Sequence, residues 1–381
     1  MTTATTNGNG KVDLSGVRRP IADAVGLPNA AYTDDAFLER EKERFFRGGW
    51  VCVGFGHEVP NAGDAVPKDV FGSPVVLVRN RDGAINVFHN VCSHRGARVL
   101  TEPCKAQPTL RCPYHSWAYS HDGELVATPH AGGHNVNNVP EWNKTELGLR
   151  PVRSGTWHDW VFVNLSGDAE PLDDYLAPIK EFVAGYDLGA LRMGGRHVFR
   201  AKANWKLLIE NGAESYHLPW VHPQITTAKK LDDHFDVIGE RLIGQGYKSA
   251  ATKLGAGLPG YPDLPEDKEG AAGFVLLFPT FKFVIMQNHL LCLVFTPIAA
   301  DETEQLVTYY FVGDGADAPE HQAARDQVYA YFKEIYEQDL AICEEMQRGR
   351  YSAGFDGGRF APAWDAAVLR FHQQVAEALE R

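Results

Sequence analysis

The sequence predicts an α+β protein, a small all-β module followed by a region that combines helices with long strands. Two textures in the chain predict it. From Trp50 to about Leu165, short β-rich runs (WVCVGF, PVVLVRN, INVFHNV, WVFVNL) alternate with turns rich in Gly, Pro, Asn and Asp. From about Leu172 onward, strand-length apolar runs at 274–278, 281–286, 289–296 and 305–312 mix with helical periodicity. A length of 381 residues suits two or three domains. The expected boundaries are 1–47, a terminal segment and helix packing on the last domain, then 48–165 and 166–381.

Taken in order, residues 1–12 (MTTATTNGNGKV) read as a floppy start. Residues 33–47 (TDDAFLEREKERFFR) read as a helix that Thr33 caps, with acids in the first turn and Arg44 and Arg47 near the end. Phe37, Glu41 and Phe45 follow its spacing. Residues 253–272 are rich in Gly and Pro and read as a long surface loop or lid. A long helical pattern runs from about Pro319 to Arg348. No internal repeat is visible.

Composition narrows the function classes. The formal net charge is −12, the wrong sign for a general nucleic-acid binder, which needs clustered cations. No apolar run approaches the ~18–20 residues of a membrane span. Eight Trp, 14 Tyr and 20 Phe argue against disorder over most of the chain. Six sparse cysteines do not make a disulfide scaffold and fit a reducing compartment. Arg18-Arg19 has the form of an export signal, but Pro20 follows, Asp23 interrupts, and no apolar h-region appears. The expected location is cytoplasmic.

The strongest local signal is Cys92-Ser93-His94 followed, after 17 intervening residues, by Cys112-Pro113-Tyr114-His115. Each half offers one thiolate and one imidazole, a donor set that suits zinc or an iron–sulfur cluster. C-x-H is short for a zinc knuckle. Two Cys/His pairs on separate loops suit a two-iron cluster, with both cysteines on one iron and both histidines on the other. Arg95, Gly96, Pro113, Tyr114 and Trp117 can shield the sulfides. Cys104 lies between the halves without a paired histidine and is left out.

A second constellation lies in NWKLLIENGAESYHLPWVHP, residues 204–223. Leu207, Glu210, Glu214, His217 and Val221 are spaced as on one side of a helix. His217 and His222 would stand about 140° apart on a straight helix. Pro219 predicts that the helix ends after His217, so that His222 can swing back. Two ordinary histidines near a helix end are the bland alternative. A third ligand tests the idea. The late helix carries apolar Val328, Phe332, Ile335, Ile342 and Met346, and Asp339 occupies the gap in that stripe. An acid on a buried stripe is costly unless paired or metal-bound. Glu337, Glu344 and Glu345 point elsewhere and read as solvated. Two His and one Asp form a facial triad for non-haem Fe(II), with open positions for O₂ and substrate.

NVCSHRGARV and CPYHSWAYSHDGEL together resemble a Rieske [2Fe–2S] module. Ser116 departs from the Gly that many such modules carry. With the second motif following in the same order, residues 33–381 resemble the catalytic (alpha) subunit of Rieske non-haem iron oxygenases, the aromatic-ring-hydroxylating dioxygenase family. That resemblance implies a helix-grip catalytic domain, an antiparallel sheet and helices around a cavity. It implies cluster ligands Cys92, His94, Cys112 and His115, and mononuclear Fe(II) ligands His217, His222 and Asp339. It places Glu214 as the acid linking a neighbouring subunit's Rieske histidine, expected to be His115, to His217. It places Asn211 close to the iron. Glu stands at position 214 where many relatives have Asp. This is similar to the branch that oxidises quaternary ammonium compounds, carnitine monooxygenases among them.

The implied activity is oxidation of a small organic molecule by O₂, with electrons from a separate NAD(P)H-dependent reductase of flavin and ferredoxin type. The chain shows no G-x-G-x-x-G after a strand for a nicotinamide of its own. The implied assembly is a head-to-tail homotrimer. A quaternary ammonium substrate is favoured, by monooxygenation with C–N cleavage or demethylation. Tyr216, Trp220, Phe278, Phe281 and Phe283 are candidate cage walls for it, though aromatic residues on strands are usually core. An aromatic ring or aromatic acid is the alternative, for which Lys282 is either an anchor or a solvent-facing lysine. A Rieske electron carrier without oxygenase chemistry is the third reading, opposed by the triad.

Overall fold

The structure, a computed structural model, describes residues 12–225, 234–248 and 253–380, so residues 1–11 of the expected floppy start lie outside the described residues. The chain forms two units. One is Phe46–Leu172, and the other comprises the segments on either side of it, up to Phe45 and from Asp173.

The first expected helix forms in two pieces, α1 (Ala30–Thr33) and α2 (Asp35–Glu41), and continues as a π-helical turn over Lys42–Arg47. The break falls at Asp34, whose extended backbone lets its carboxylate accept from the Ala36 N–H at 2.8 Å. Thr33 is therefore not the cap, and its hydroxyl donates back to the Asn29 carbonyl. Phe37, Leu38 and Glu41 are buried.

The β module is built from β1 (Val51–Phe55), β2 (Ala65–Val70), β3 (Ser73–Arg79), β4 (Ile85–His89), β5 (Leu110–Arg111), β6 (Ala118–Tyr119), β7 (Leu125–Ala127), β8 (Arg153–Trp157) and β9 (Trp160–Asn164). These pair as three antiparallel sheets, β1-β9-β8, β2-β3-β4 and β5-β6-β7. Short strands joined by tight turns are what the Gly- and Asn-rich punctuation specifies. Val76, Val78, Phe88, Trp117 and Tyr119 form a core that also holds Cys92 and Cys112.

The other unit continues with α3 (Leu172–Phe182), β10 (Leu191–Ala201), α4 (Trp205–Asn211), α5 (Leu218–Val221), β11 (His234–Ile238), β12 (Leu242–Tyr247), β13 (Ala272–Leu277), β14 (Phe281–Ile285), β15 (His289–Ala299), β16 (Glu302–Val312), α6 (Gln322–Arg350) and α7 (Ala366–Glu380). The strands form one seven-stranded antiparallel sheet in the order β10-β16-β15-β14-β13-β12-β11. This is the expected helix-grip arrangement. The four anticipated strands are present as β13 to β16. Strands β10 to β12 were not anticipated. In β10 the exposed and partly buried residues of LRMGGRHVFRA leave no apolar run to read. The 253–272 segment holds a short helical turn at Glu266–Lys268 and no strand before β13 begins at Ala272. It is tied down by Tyr261, whose ring meets Tyr186 edge-on at 5.2 Å.

The stripe on α6 differs from expectation in its second half. Val328, Phe332 and Ile335 are buried, but Ile342 and Met346 are exposed. Leu340, Cys343, Gln347 and Arg350 take the inner face instead. From Ile335 the inner row steps by four through Asp339, Cys343 and Gln347, which is the ordinary helical drift. Asp339 still lies on the inner row. Among the described residues no helix is long and apolar enough to cross a membrane.

Candidate functional site

The two Cys/His loops share one backbone plan. In the first, the Cys92 N–H donates to the Ala97 carbonyl at 2.8 Å and the Gly96 N–H to the Cys92 carbonyl at 3.0 Å. In the second, the Cys112 N–H donates to the Trp117 carbonyl at 2.8 Å and the Ser116 N–H to the Cys112 carbonyl at 3.0 Å. The fourth residue after each cysteine is left-handed, Gly96 at φ 76° and Ser116 at φ 59°. Gly is the unstrained choice there, so the departure at Ser116 sits at a position of backbone strain. The Asn90 side chain pins the first loop, accepting from the N–H groups of Val99 and Leu100 at 3.0 and 2.9 Å.

This plan turns both cysteines inward and both histidines outward. Cys92 and Cys112 are buried, whereas His94 and His115 are exposed. The two imidazoles stand 4.7 Å apart, and Trp117 stacks on His94 at 4.7 Å. The Tyr119 hydroxyl lies 3.1 Å from the Cys92 sulfur. Burial pushes the Cys92 thiol up, and the neighbouring Cys112 adds to it. Burial, with His115 and Arg95 close by, pushes His94 down, which keeps its nitrogens free to bind metal. Cys104 pairs its backbone with Ala65 and takes no part in the two loops.

A single tetrahedral zinc would draw four ligand atoms to within about 4 Å of one another. Among the described residues, the one group of three or more His, Cys, Asp or Glu whose ligand atoms all lie within 4.8 Å is His217, His222 and Asp339. The Cys/His quartet is instead split into a thiol side and an imidazole side, which fits a two-iron cluster.

The triad is assembled on α4, α5 and α6. All seven residues of α4 are buried. Asn204 caps it, accepting from the Lys206 N–H at 3.0 Å. Lys206 and Glu41 form an ion pair at 2.7 Å, both fully buried, and the Trp205 indole donates to the same carboxylate at 2.9 Å. On the other side Glu210 accepts from the Tyr32 hydroxyl at 2.6 Å, with His372 at 3.0 Å and Arg350 at 3.7 Å. Buried charges are stable only when paired, and these pairs fix where α4 ends.

The helix stops at Asn211 and Gly212, earlier than the sequence suggests. Pro219 does not end it. Pro219 lies in the first turn of α5, where its missing N–H costs nothing. His217 and His222 therefore flank α5 as its two caps, and their rings meet edge-on at 5.4 Å. The His222 Nε2 lies 2.7 Å and the His217 Nε2 3.6 Å from the Asp339 Oδ1. Each Nδ1 is taken up by a second acceptor, Glu214 Oε1 at 2.6 Å from His217 and Gln338 Oε1 at 2.6 Å from His222. This is how ligating histidines are oriented, with one nitrogen held and the other presented. Glu214 also accepts from the backbone N–H groups of Tyr216 and His217, which locks its carboxylate. Burial pulls His222 down, but the bonds to Asp339 and Gln338 outweigh it and leave it above the ordinary imidazole value. Asn211 closes α4, buried, one turn before Glu214.

The acids around Asp339 divide. Glu337 and Glu345 are exposed as expected, while Glu344 accepts from the Lys202 N–H. Gln338 was not anticipated, since only its neighbour Asp339 carries a signal in the stripe. Lys282 does not face solvent. It is buried, its ammonium donates to the Gly212 carbonyl at 2.8 Å, and burial lowers it to about 8 against the field of Asp339. The candidate cage aromatics lie elsewhere. Trp220 is 71% exposed, and Tyr216 stacks on Trp364 at 5.7 Å. Phe278 packs on Phe45 and Phe371. Phe281 and Phe283 alternate with Lys282 along β14 and so lie on the opposite face of the sheet.

Comparison with known proteins adds family likeness to this geometry. Residues 188–381 match the model of the ring-hydroxylating alpha subunit (catalytic domain), and residues 49–142 match the Rieske [2Fe–2S] domain. The chain is 29% identical to the carnitine monooxygenase oxygenase subunit of Escherichia coli (strain K12) over 371 residues, covering 94% of this chain and 95% of that protein. It is 25% identical to the glycine betaine monooxygenase oxygenase subunit of Pseudomonas aeruginosa (strain UCBPP-PA14), covering 93% and 89%. Its fold is similar to the crystal structure of a quaternary ammonium Rieske monooxygenase in complex with L-carnitine, with a TM-score of 0.79 and 23% identity over 97% of this chain and 98% of that one.

Proposed function

The chain belongs to the ring-hydroxylating alpha-subunit family, and from that premise we propose that it is the terminal oxygenase of a system that monooxygenates a quaternary ammonium compound. As a member of the family it is an oxidoreductase whose cofactors are a Rieske [2Fe–2S] cluster and a mononuclear iron. When bound, the cluster supplies single electrons and the iron activates O₂ to oxidise a substrate carbon.

The residues divide the work between them. Cys92 and Cys112 hold the cluster from the core side, and His94 and His115 hold it at the exposed edge of the module. His217, His222 and Asp339 hold the mononuclear iron. Glu214 is a positioning residue. Its carboxylate, 2.6 Å from the His217 Nδ1, would keep a proton there and leave the Nε2 lone pair free for the metal. The same carboxylate is assigned to join His217 to the partner subunit's His115. Asn211, buried at the end of α4, would stand beside the iron. The exposed histidine edge supports electron transfer across a subunit boundary in a head-to-tail homotrimer. The electrons come from a separate NAD(P)H-dependent reductase of flavin and ferredoxin type.

The observation that carries the oxygenase reading is the close approach of His217, His222 and Asp339 within 4.8 Å. The substrate class rests on similarity along nearly the whole chain to carnitine and glycine betaine monooxygenases. The test is NADH-coupled oxygen uptake with purified protein and a surrogate reductase, across trimethylammonium compounds and aromatic acids, with products identified by mass. Uptake matched to a cleaved or hydroxylated trimethylammonium compound is expected. Stoichiometric oxidation of an aromatic acid instead would overturn the substrate while leaving the metal assignments in place.

A further inference from the structure

Lys282 is buried, 7% exposed against 0% for Lys206, but is partnered differently. Lys206 meets the Glu41 carboxylate at 2.7 Å. Among the described residues Lys282 has one hydrogen bond, to the carbonyl of Gly212. An ammonium carries three donors, and among the described residues no carboxylate lies within ion-pair distance of this one. A buried cation left without an anion is costly.

Its position says where an anion would come from. Gln245, Phe274 and Val284 are register partners across β12, β13 and β14, so they share a face of the sheet with Lys282. From that face Gln245 donates to the Glu214 carbonyl at 3.0 Å, and Lys282 reaches Gly212 two residues earlier. The ammonium thus lies against the segment that carries Glu214 and His217, within the field of Asp339. Gly212 makes room for it, because a Cβ there would stand 2.2 Å from the Lys282 nitrogen.

We propose that Lys282 is a specificity-determining residue that binds the carboxylate of the substrate beside the iron triad. The enzyme then prefers trimethylammonium compounds that also carry an acid over those that end in an alcohol or amide. The substrate's ammonium is directed away from Lys282 by charge repulsion, and its acid toward it. This deepens the quaternary ammonium reading and rests on it for the cationic half of the substrate only.

A purely structural role, capping the carbonyl end of α4, is the competing account. Lys282→Gln separates the two, because the amide keeps a donor for Gly212 and loses the charge. Lys282→Arg keeps the charge. The measurement is isothermal titration calorimetry on the metal-loaded protein with γ-butyrobetaine, its carboxamide of the same length, and benzoate. Wild type is expected to bind the carboxylate at least about tenfold more tightly than the carboxamide, as a charge-assisted hydrogen bond allows. Lys282→Gln should erase that ratio by weakening only the carboxylate, and Lys282→Arg should restore much of it. A wild-type ratio near one overturns the proposal without any variant having to fold. Equal weakening of both ligands in Lys282→Gln also overturns it. Binding of benzoate but of neither trimethylammonium compound, lost in Lys282→Gln, would uphold the anchor and overturn the quaternary ammonium reading.

Discussion

The Cys/His module and the His/His/Asp site reach metal-binding geometry by opposite routes. In the module each loop is a closed turn of a few residues, made twice with the same two backbone hydrogen bonds. The triad draws on chain as far apart as His217 and Asp339. It depends on buried pairs that reach back to Tyr32 and Glu41. The first centre is shaped by local backbone geometry and the second by long-range packing. The first should therefore tolerate damage elsewhere in the chain, and the second should not.

The largest break in that comparison comes from Asp339→Ala. It should lose the mononuclear iron and with it turnover, while the visible spectrum of the cluster stays. Iron analysis beside the spectrum checks this, and unchanged iron content would hand the carboxylate role to another acid. Glu214→Ala comes next. Both metals should stay, and turnover should fall by about 10–100-fold or more, the scale of losing a group that orients a ligand. Single-turnover and steady-state rates read it, and a wild-type rate would remove Glu214 from the electron route.

Lys206→Met probes the packing on which the second centre depends. It leaves Glu41 buried without its cation and should cost about 3–5 kcal/mol of stability, read as a shift in the urea midpoint. If the midpoint did not move, the buried pair would not be what holds α4. The smallest effect is local. Ser116→Gly relieves a left-handed residue in the second cluster loop and should add about 1 kcal/mol without altering the cluster spectrum. Loss of stability would mean that the serine side chain makes contacts worth more than the strain.

How much of each centre was legible follows the same division. The two turns that set Cys92 beside His94 and Cys112 beside His115 could be read directly, because a Cys/His pair two or three residues apart on one turn is a property of the local chain. Asp339 was legible as an acid on an apolar helical row, even though Ile342 and Met346 proved to lie on the outer side. Pro219 was visible as a breakpoint, but whether it closed one helix or opened another was not, since Pro is tolerated in the first turn and excluded from the interior.

By itself, then, the sequence determined the order of a β module and a sheet-and-helix region, the two Cys/His turns, and the three residue types that meet at His217, His222 and Asp339. These depend on period, spacing and turn chemistry within a few residues. Only the tertiary structure decided that Gln338 holds His222, that Glu41 neutralises Lys206, and that Lys282 is buried beside Gly212 with no acid of its own among the described residues. Each of these is a pairing of polar groups across elements distant in the chain. Periodicity shows which side of a helix or strand a residue occupies. The free energy of a buried charge depends on what the rest of the fold sets against it.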